Sequence, residues 1–212
     1  VTPPIPASKK TRKTSLSAES LVANVLASYP AETQAIVTEG VKRLVDYQNA
    51  SYAKLFLNRL EDILLIDRNC RDNSNSWILT TETARYLALM MSYEDIIRVA
   101  DLNTRRSRMD RVRAEVLAKP GEPIRLTEFL KPGFDEITSV MPSWLGRPIM
   151  NWARSNKWAS NYNFAMRVRT NTIYGFLRLW ILSKLRFYRP RTYRFVEEQK
   201  VIITWLETIK NA

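Results

Sequence analysis

Five glycines in 212 residues leave this chain few places where the backbone can enter the left-handed conformations of tight hairpins and phosphate-cradling loops. The balance of residues turns instead toward helix, because Leu, Ala, Arg, Glu and Ile are plentiful. An apolar share of 45% supports a packed core, and the length suits one large domain or two small ones.

The spacing of apolar residues predicts where the helices lie. Ser17 caps a first helix that runs through Leu21, Val22, Val25 and Leu26 and ends at Pro30. From about Ala31 to Leu65, apolar residues from Ile36 to Ile63 recur mostly at three- and four-residue steps. That pattern predicts one long early helix with Gly40 as its weak point. A polar loop, Asp67 to Ser76, contains Cys70, and a further helix starts at Thr80 or Thr81 and reaches Met91. Ser92-x-x-Asp95 resembles a capping box, which predicts a helix from Tyr93 to about Lys119, stopped by Pro120-Gly121.

Prolines break the middle of the chain, leaving short helices at 133–140 and 143–157. Ala165 to Thr170 alternates Met166 and Val168 with Arg167 and Arg169, a strand pattern whose local partner would be Ile124 to Leu126. Two helices, from about Asn171 to Tyr188 and from Thr192 to Lys210, would close the chain as an antiparallel hairpin. Trp180, Ile181 and Leu185 would there meet Phe195, Ile202, Trp205 and Leu206.

The expected fold is therefore mainly α. It is an irregular multi-helix bundle with a long early helix, a C-terminal helical hairpin and at most one short strand pair. Residues 1–16 carry three prolines in the first six positions, then Lys9, Lys10, Arg12 and Lys13. They read as a flexible basic leader or linker, and 17–212 as a single helical domain. The start lacks the apolar run of a signal peptide, and Ile173 to Tyr188 is too charged to span a bilayer. The expected location is cytoplasmic. A first residue other than Met fits a fragment of something longer.

Composition narrows the chemistry. With no histidine, the chain lacks Ser-His-Asp and Cys-His catalysis, His-ligated metal and histidine pH switching. A single cysteine forms no internal disulfide and no four-cysteine cluster site. No glycine pattern matches a phosphate loop or dinucleotide fingerprint, and no carboxylate pair has the spacing of a metal loop or two-carboxylate centre. Neither a catalytic residue nor a metal ligand is assigned. The net charge of +12 attracts phosphates, acidic proteins or anionic lipid.

Candidate binding residues lie in three groups. Arg98, Arg105, Arg106, Arg108, Arg111 and Arg113 share the predicted helix 93–119. Arginine forks bind phosphate and carboxylate at two points, so these residues form either an anion site or a solvated face paired with Glu94, Asp95, Asp101, Asp110 and Glu115. Arg43, Tyr47 and Gln48, with Asp46 and Tyr52, form either a polar pocket wall or an amphipathic seam between helices. Trp144, Trp152, Trp158, Tyr162 and Phe164 sit among Arg147, Arg154, Lys157 and Arg167. Such interleaving suits a single-stranded nucleic-acid groove, although burial of the tryptophans in a core is the favoured expectation.

Three stretches bear a resemblance to a known family. They are Val41-Lys-Arg-Leu-Val-Asp-Tyr-Gln-Asn-Ala-Ser-Tyr-Ala, Ala84 to Arg113 with its Ser92-Tyr-Glu-Asp-Ile-Ile-Arg-Val-Ala-Asp, and Leu126-Thr-Glu-Phe-Leu-Lys-Pro on to Arg194-Phe-Val-Glu-Glu-Gln-Lys and Trp205-Leu-Glu. In this order, over roughly 35–210, the chain resembles the C-terminal helical domain of the indolepyruvate ferredoxin oxidoreductase beta-subunit family. The resemblance implies a part in oxidative decarboxylation of aryl 2-oxoacids to the acyl-CoA. Thiamine diphosphate, iron–sulfur clusters and CoA are implied for the parent complex, with none bound by this chain. The implied partners are an upstream catalytic domain, a thiamine-dependent alpha subunit and ferredoxin as electron acceptor. The chain would then be a helical accessory or assembly domain, non-catalytic on its own, with no membrane partner. The alternative is a basic nucleic-acid-binding helical module. A further expectation places CoA phosphates on Arg105 and Arg108.

Overall fold

The computed structural model of the chain describes residues 16–70, 76–156, 163 and 165–211. The predicted leader therefore lies outside the described residues, save Leu16. Ten α-helices and one pair of antiparallel strands occur among the described residues. The mainly α expectation holds.

Helix α1 (Ala18–Ser28) starts where Ser17 accepts from the Ser20 amide, and buries Leu21 and Val25. Helix α2 (Ala31–Tyr47) is not continuous with α3 (Ala50–Asn69). The break falls at Gln48-Asn49 instead of Gly40, because the Asn49 side chain accepts from the Tyr52 amide at 2.9 Å and starts a new helix. Gly40 lies inside α2 and is fully packed. A Cβ there would stand 2.8 Å from the Phe56 ring and 3.3 Å from Ala88 Cβ. Its missing side chain lets α2, α3 and α4 (Ile78–Met91) approach closely.

Helix α4 begins two residues before its predicted start. Its own N-cap residue, Trp77, has no side-chain cap. Asp67, near the end of α3, supplies the missing acceptor, taking the Thr80 amide at 2.8 Å and its hydroxyl at 2.6 Å. Helices α1–α4 and the last helix, α10 (Tyr193–Lys210), enclose the main core around Val37, Leu44, Phe56, Leu60, Leu87 and Ile202.

The predicted helix 93–119 is two helices, α5 (Ile96–Thr104) and α6 (Arg106–Glu115). The Thr104 hydroxyl donates back to the Ala100 and Asp101 carbonyls, a contact that bends helices. The following residue, Arg105, is extended. Ser92 is not the cap of α5. Its hydroxyl donates to the Ala88 carbonyl of α4, and Asp95 caps α5 by accepting from the Arg98 amide at 2.6 Å.

Strands β1 (Thr127–Leu130) and β2 (Met166–Arg169) pair antiparallel, with Phe129 opposite Arg167 and Glu128 opposite Val168. The partner of β2 thus begins after the predicted Ile124–Leu126, although the Leu126 carbonyl still accepts from the Thr170 amide. Helices α7 (Phe134–Ser139) and α8 (Ser143–Ser155) lie between the strands in sequence and pack on each other and on α10. Helix α9 (Ile173–Lys184) lies along α5, and a small second core of Ala100, Val168 and Leu179 joins α5, β2 and α9.

The last two helices do not pair along their length as predicted. Short 3₁₀ turns at Leu185–Phe187 and Arg189–Arg191 separate them. They send α9 to α5, and α10 to α4 and α8. Phe195, Ile202 and Leu206 are buried as expected, whereas Trp180 and Ile181 face outward. Among the described residues no helix is long and apolar enough to cross a membrane.

Replacing Gly40 by Val should destabilise the protein by about 1–3 kcal/mol through overpacking. Urea unfolding followed by circular dichroism measures this; an unchanged midpoint would show that α2 does not need the close approach.

Candidate functional site

One arginine ties the two cores together. Arg189 is 1% exposed and its partner Asp95 5%. Its Nε and Nη2 donate to the two Asp95 oxygens at 2.6 and 3.1 Å. Nη1 donates to the Tyr47 carbonyl at 2.7 Å and to Gln48 Oε1 at 2.9 Å. The guanidinium stacks over the Tyr47 ring, 4.1 Å from its centroid. Burial, with Tyr93 and Asp95 nearby, pushes the Tyr47 phenol well above its ordinary pKa, so Arg189 meets a neutral ring. Next to it, Arg186 donates to the Gln48 and Val45 carbonyls at 2.7 and 2.6 Å. Two cations thus close the carbonyl end of α2, where the helix dipole favours positive charge.

The arginines singled out in the sequence separate into paired and exposed groups. Arg98 reaches Asp46 at 2.8 Å and Asp101 at 3.1 Å, and Arg105 reaches the same two carboxylates at 2.9 and 2.5 Å. Arg108 pairs with Glu128 of β1 and donates to Asn103. Arg113 donates to the Lys119 and Glu122 carbonyls. Arg106 and Arg111 are exposed and, among the described residues, form only wide pairs with Asp110 and Glu115. The forks offered to CoA phosphates, Arg105 and Arg108, already hold carboxylates. Arg43 is exposed on α2 and donates to the Ser92 hydroxyl. Tyr47 and Gln48 are buried seam residues around Arg189.

The exposed side of α9 offers a different feature. Only Gly175 and Leu179 of this helix are buried. At about 100° per residue, Phe176, Trp180, Ile173, Leu177 and Ile181 form one continuous arc on the far side, and each is at least 41% exposed. The expected burial of Trp144 and Trp152 is corrected likewise. They are 75% and 51% exposed, because α8 buries Gly146, Met150 and Ala153 at helical spacing and turns its tryptophans away. Trp158, Tyr162, Phe164 and Lys157 lie outside the described residues.

Residues 33–212 match the model of a family described as a family of unknown function, DUF6537. The chain belongs to the DUF6537 family. No curated protein and no solved structure matches it.

In this DUF6537 chain the residues that sequence reasoning missed are Arg189, Arg186 and the pairing role of Asp95. Asp95 was legible as part of a capping box and as a partner for the arginines of its own helix, not for Arg189, and Arg189-Pro190 only as a boundary. A usable signal was present. No Asp or Glu occurs between Glu136 and Glu197, while that stretch holds eleven basic residues. Any of those cations that is buried must find its partner on a distant element.

Replacing Arg189 by Met should cost about 3–5 kcal/mol, since Asp95 is then left buried and unpaired. A double-mutant cycle with Asp95→Asn, read by thermal unfolding, should show strong coupling, and additive effects would contradict the pairing. Asp46 behaves differently. Burial opposes its ionisation, but hydrogen bonds and charge from Arg98 and Arg105 outweigh that and hold its carboxyl below the usual range. Its stabilisation is therefore present above about pH 3.9, the unfolded value, and disappears as pH falls through the lower folded value. Asp46→Asn should lose no more than about 1 kcal/mol at neutral pH, and less in high salt. Its deficit relative to wild type should vanish in acid; a deficit that grows in acid would reverse the sign.

Proposed function

We propose that this chain is the helical assembly domain of a 2-oxoacid:ferredoxin oxidoreductase of the indolepyruvate type. In this reading it acts in the cytoplasm and docks the catalytic portions of the complex. These are the upstream catalytic domain and the thiamine-dependent alpha subunit, with ferredoxin as electron acceptor. The order and content of the resembling stretches support the family assignment. The single structural observation that supports docking is the outer arc of α9. Isolated soluble proteins seldom expose a contiguous apolar surface of this kind, and interaction sites do.

The chain's own residues do not suit an iron–sulfur cluster. Cys70 is exposed and supplies one thiolate where a cluster takes four. Among the described residues no group of acidic or cysteine side chains could hold a metal ion. In this reading the oxidative decarboxylation to aryl-acetyl-CoA belongs to the partners, and this chain contributes surface.

The test uses the complete complex. Trp180→Asp with Ile181→Asp, both outward facing, should preserve the helical content of the chain. They should reduce its co-purification with the thiamine-dependent subunit and lower arylpyruvate-dependent ferredoxin reduction. Unchanged assembly and unchanged oxidation would sink the proposal. The alternative, a nucleic-acid-binding module, predicts oligonucleotide binding that weakens steeply with salt. Such binding, with no association with oxidoreductase subunits, would replace the assembly reading.

A further inference from the structure

Between Glu136 and Glu197 the chain has no carboxylate, so an arginine there that pairs with one must reach outside this stretch. Arg147 takes Glu197 and Arg194 takes Glu198. Arg186 takes backbone carbonyls, and Arg189 takes Asp95. Arg167, Arg169 and Arg178 have no carboxylate partner among the described residues, and all three line one hollow of about 400 Å³.

Local structure converges these side chains. Arg167 and Arg169 alternate with the buried Val168 and so project from the outer face of β2, about 7 Å apart along the strand. Gly175 lets the first turn of α9 abut the strand end, for a Cβ there would lie 2.0 Å from the Arg169 carbonyl oxygen. That contact brings Arg178 and Tyr174 to the same hollow, with the positive end of the α9 dipole facing it. The nearest strand carboxylate, Glu128, projects to the opposite face and is held by Arg108.

Two aromatic rings complete the wall. Arg167 lies over Phe129 at 5.3 Å and Arg178 over Tyr174 at 5.2 Å. Phe129 and Tyr174 are 72% and 71% exposed. A stacked guanidinium uses its face and keeps its in-plane N–H donors for an oxyanion. The volume falls within the range of small-ligand sites, about 300–1,000 Å³.

We infer that this hollow between the outer face of the two-stranded sheet and the start of α9 binds a nucleotide. Its phosphates sit on Arg167, Arg169 and Arg178, and its base stacks on an exposed ring of the wall. Convergent arginines without carboxylates select the phosphates, and the ring face opposite a guanidinium selects a planar base without reading its edge. The site goes beyond the docking reading and does not depend on it.

Calorimetric titration of the chain at low ionic strength, with ADP, inorganic pyrophosphate and adenosine as probes, tests the inference. ADP should bind more tightly than either fragment. Arg167→Ala with Arg169→Ala, both on an exposed face, should weaken ADP at least about tenfold, and Lys at both positions should restore part of the loss. Phe129→Ala should weaken ADP and leave pyrophosphate unchanged. No ADP binding, or ADP binding indifferent to the arginine pair, would overturn the site. A single-stranded oligonucleotide that uses the same arginines and binds far more tightly than ADP would also overturn it, in favour of a nucleic-acid groove. Trp180→Asp with Ile181→Asp should leave ADP affinity unchanged, which separates failure of this site from failure of the docking face.

Discussion

The buried contact between Arg189 and Asp95 is the constraint on which the arrangement of this chain depends. Asp95 starts α5 by capping it, and Arg189 closes the carbonyl end of α2. Joining the two therefore sets the negative end of one helix against the positive end of another through a single ion pair. Taking both charges out of water is costly. It is tolerated here because the guanidinium makes four hydrogen bonds, to carboxylate, amide and main-chain acceptors. The same contact positions α9, since the turns that contain Arg189 decide where that helix leaves the main bundle.

This arrangement gives the molecule two parts with different characters. The main core of α1–α4 and α10 buries large side chains completely. The smaller core beneath α9 buries only Ala100, Val168 and Leu179. A helix with so little behind it, and so much apolar surface in front, gains by meeting another surface. The exposed apolar arc of α9 and the arginine-lined hollow both lie on this lightly packed side. The arginines of α5 and α6 that stand out in the sequence serve largely to fasten α5 to α2 and α6 to the sheet.

The fold was legible where local pattern and burial agree. The 3.6-residue spacing marked α1, α4 and α10, and the alternation around Val168 marked β2. It failed where a side chain from elsewhere made the decision. Asn49 divided the long helix through a cap that any loop asparagine could also make. Asp67 started α4 from another helix, and Ser92 turned back to α4 and left the cap of α5 to Asp95. The candidate site was legible in kind, as arginine and aromatic residues, but not in place. Periodicity groups residues along one helix, whereas the hollow takes its arginines from a strand and the helix after it. Trp144 and Trp152 misled for a related reason, because hydrophobicity alone does not say which face of a helix meets the core.

The position of Arg189 in the sequence bears on how the chain is made. Its acceptors lie 94, 141 and 142 residues upstream. During synthesis α2 and α5 leave the ribosome long before the residue that joins them exists. The first four helices have local contacts enough to associate early, yet α10, which completes their core, emerges only after all of them. A nascent chain therefore carries an open bundle and an uncapped helix end until Arg189 and α10 have emerged. That makes it a natural client for chaperones until those residues arrive.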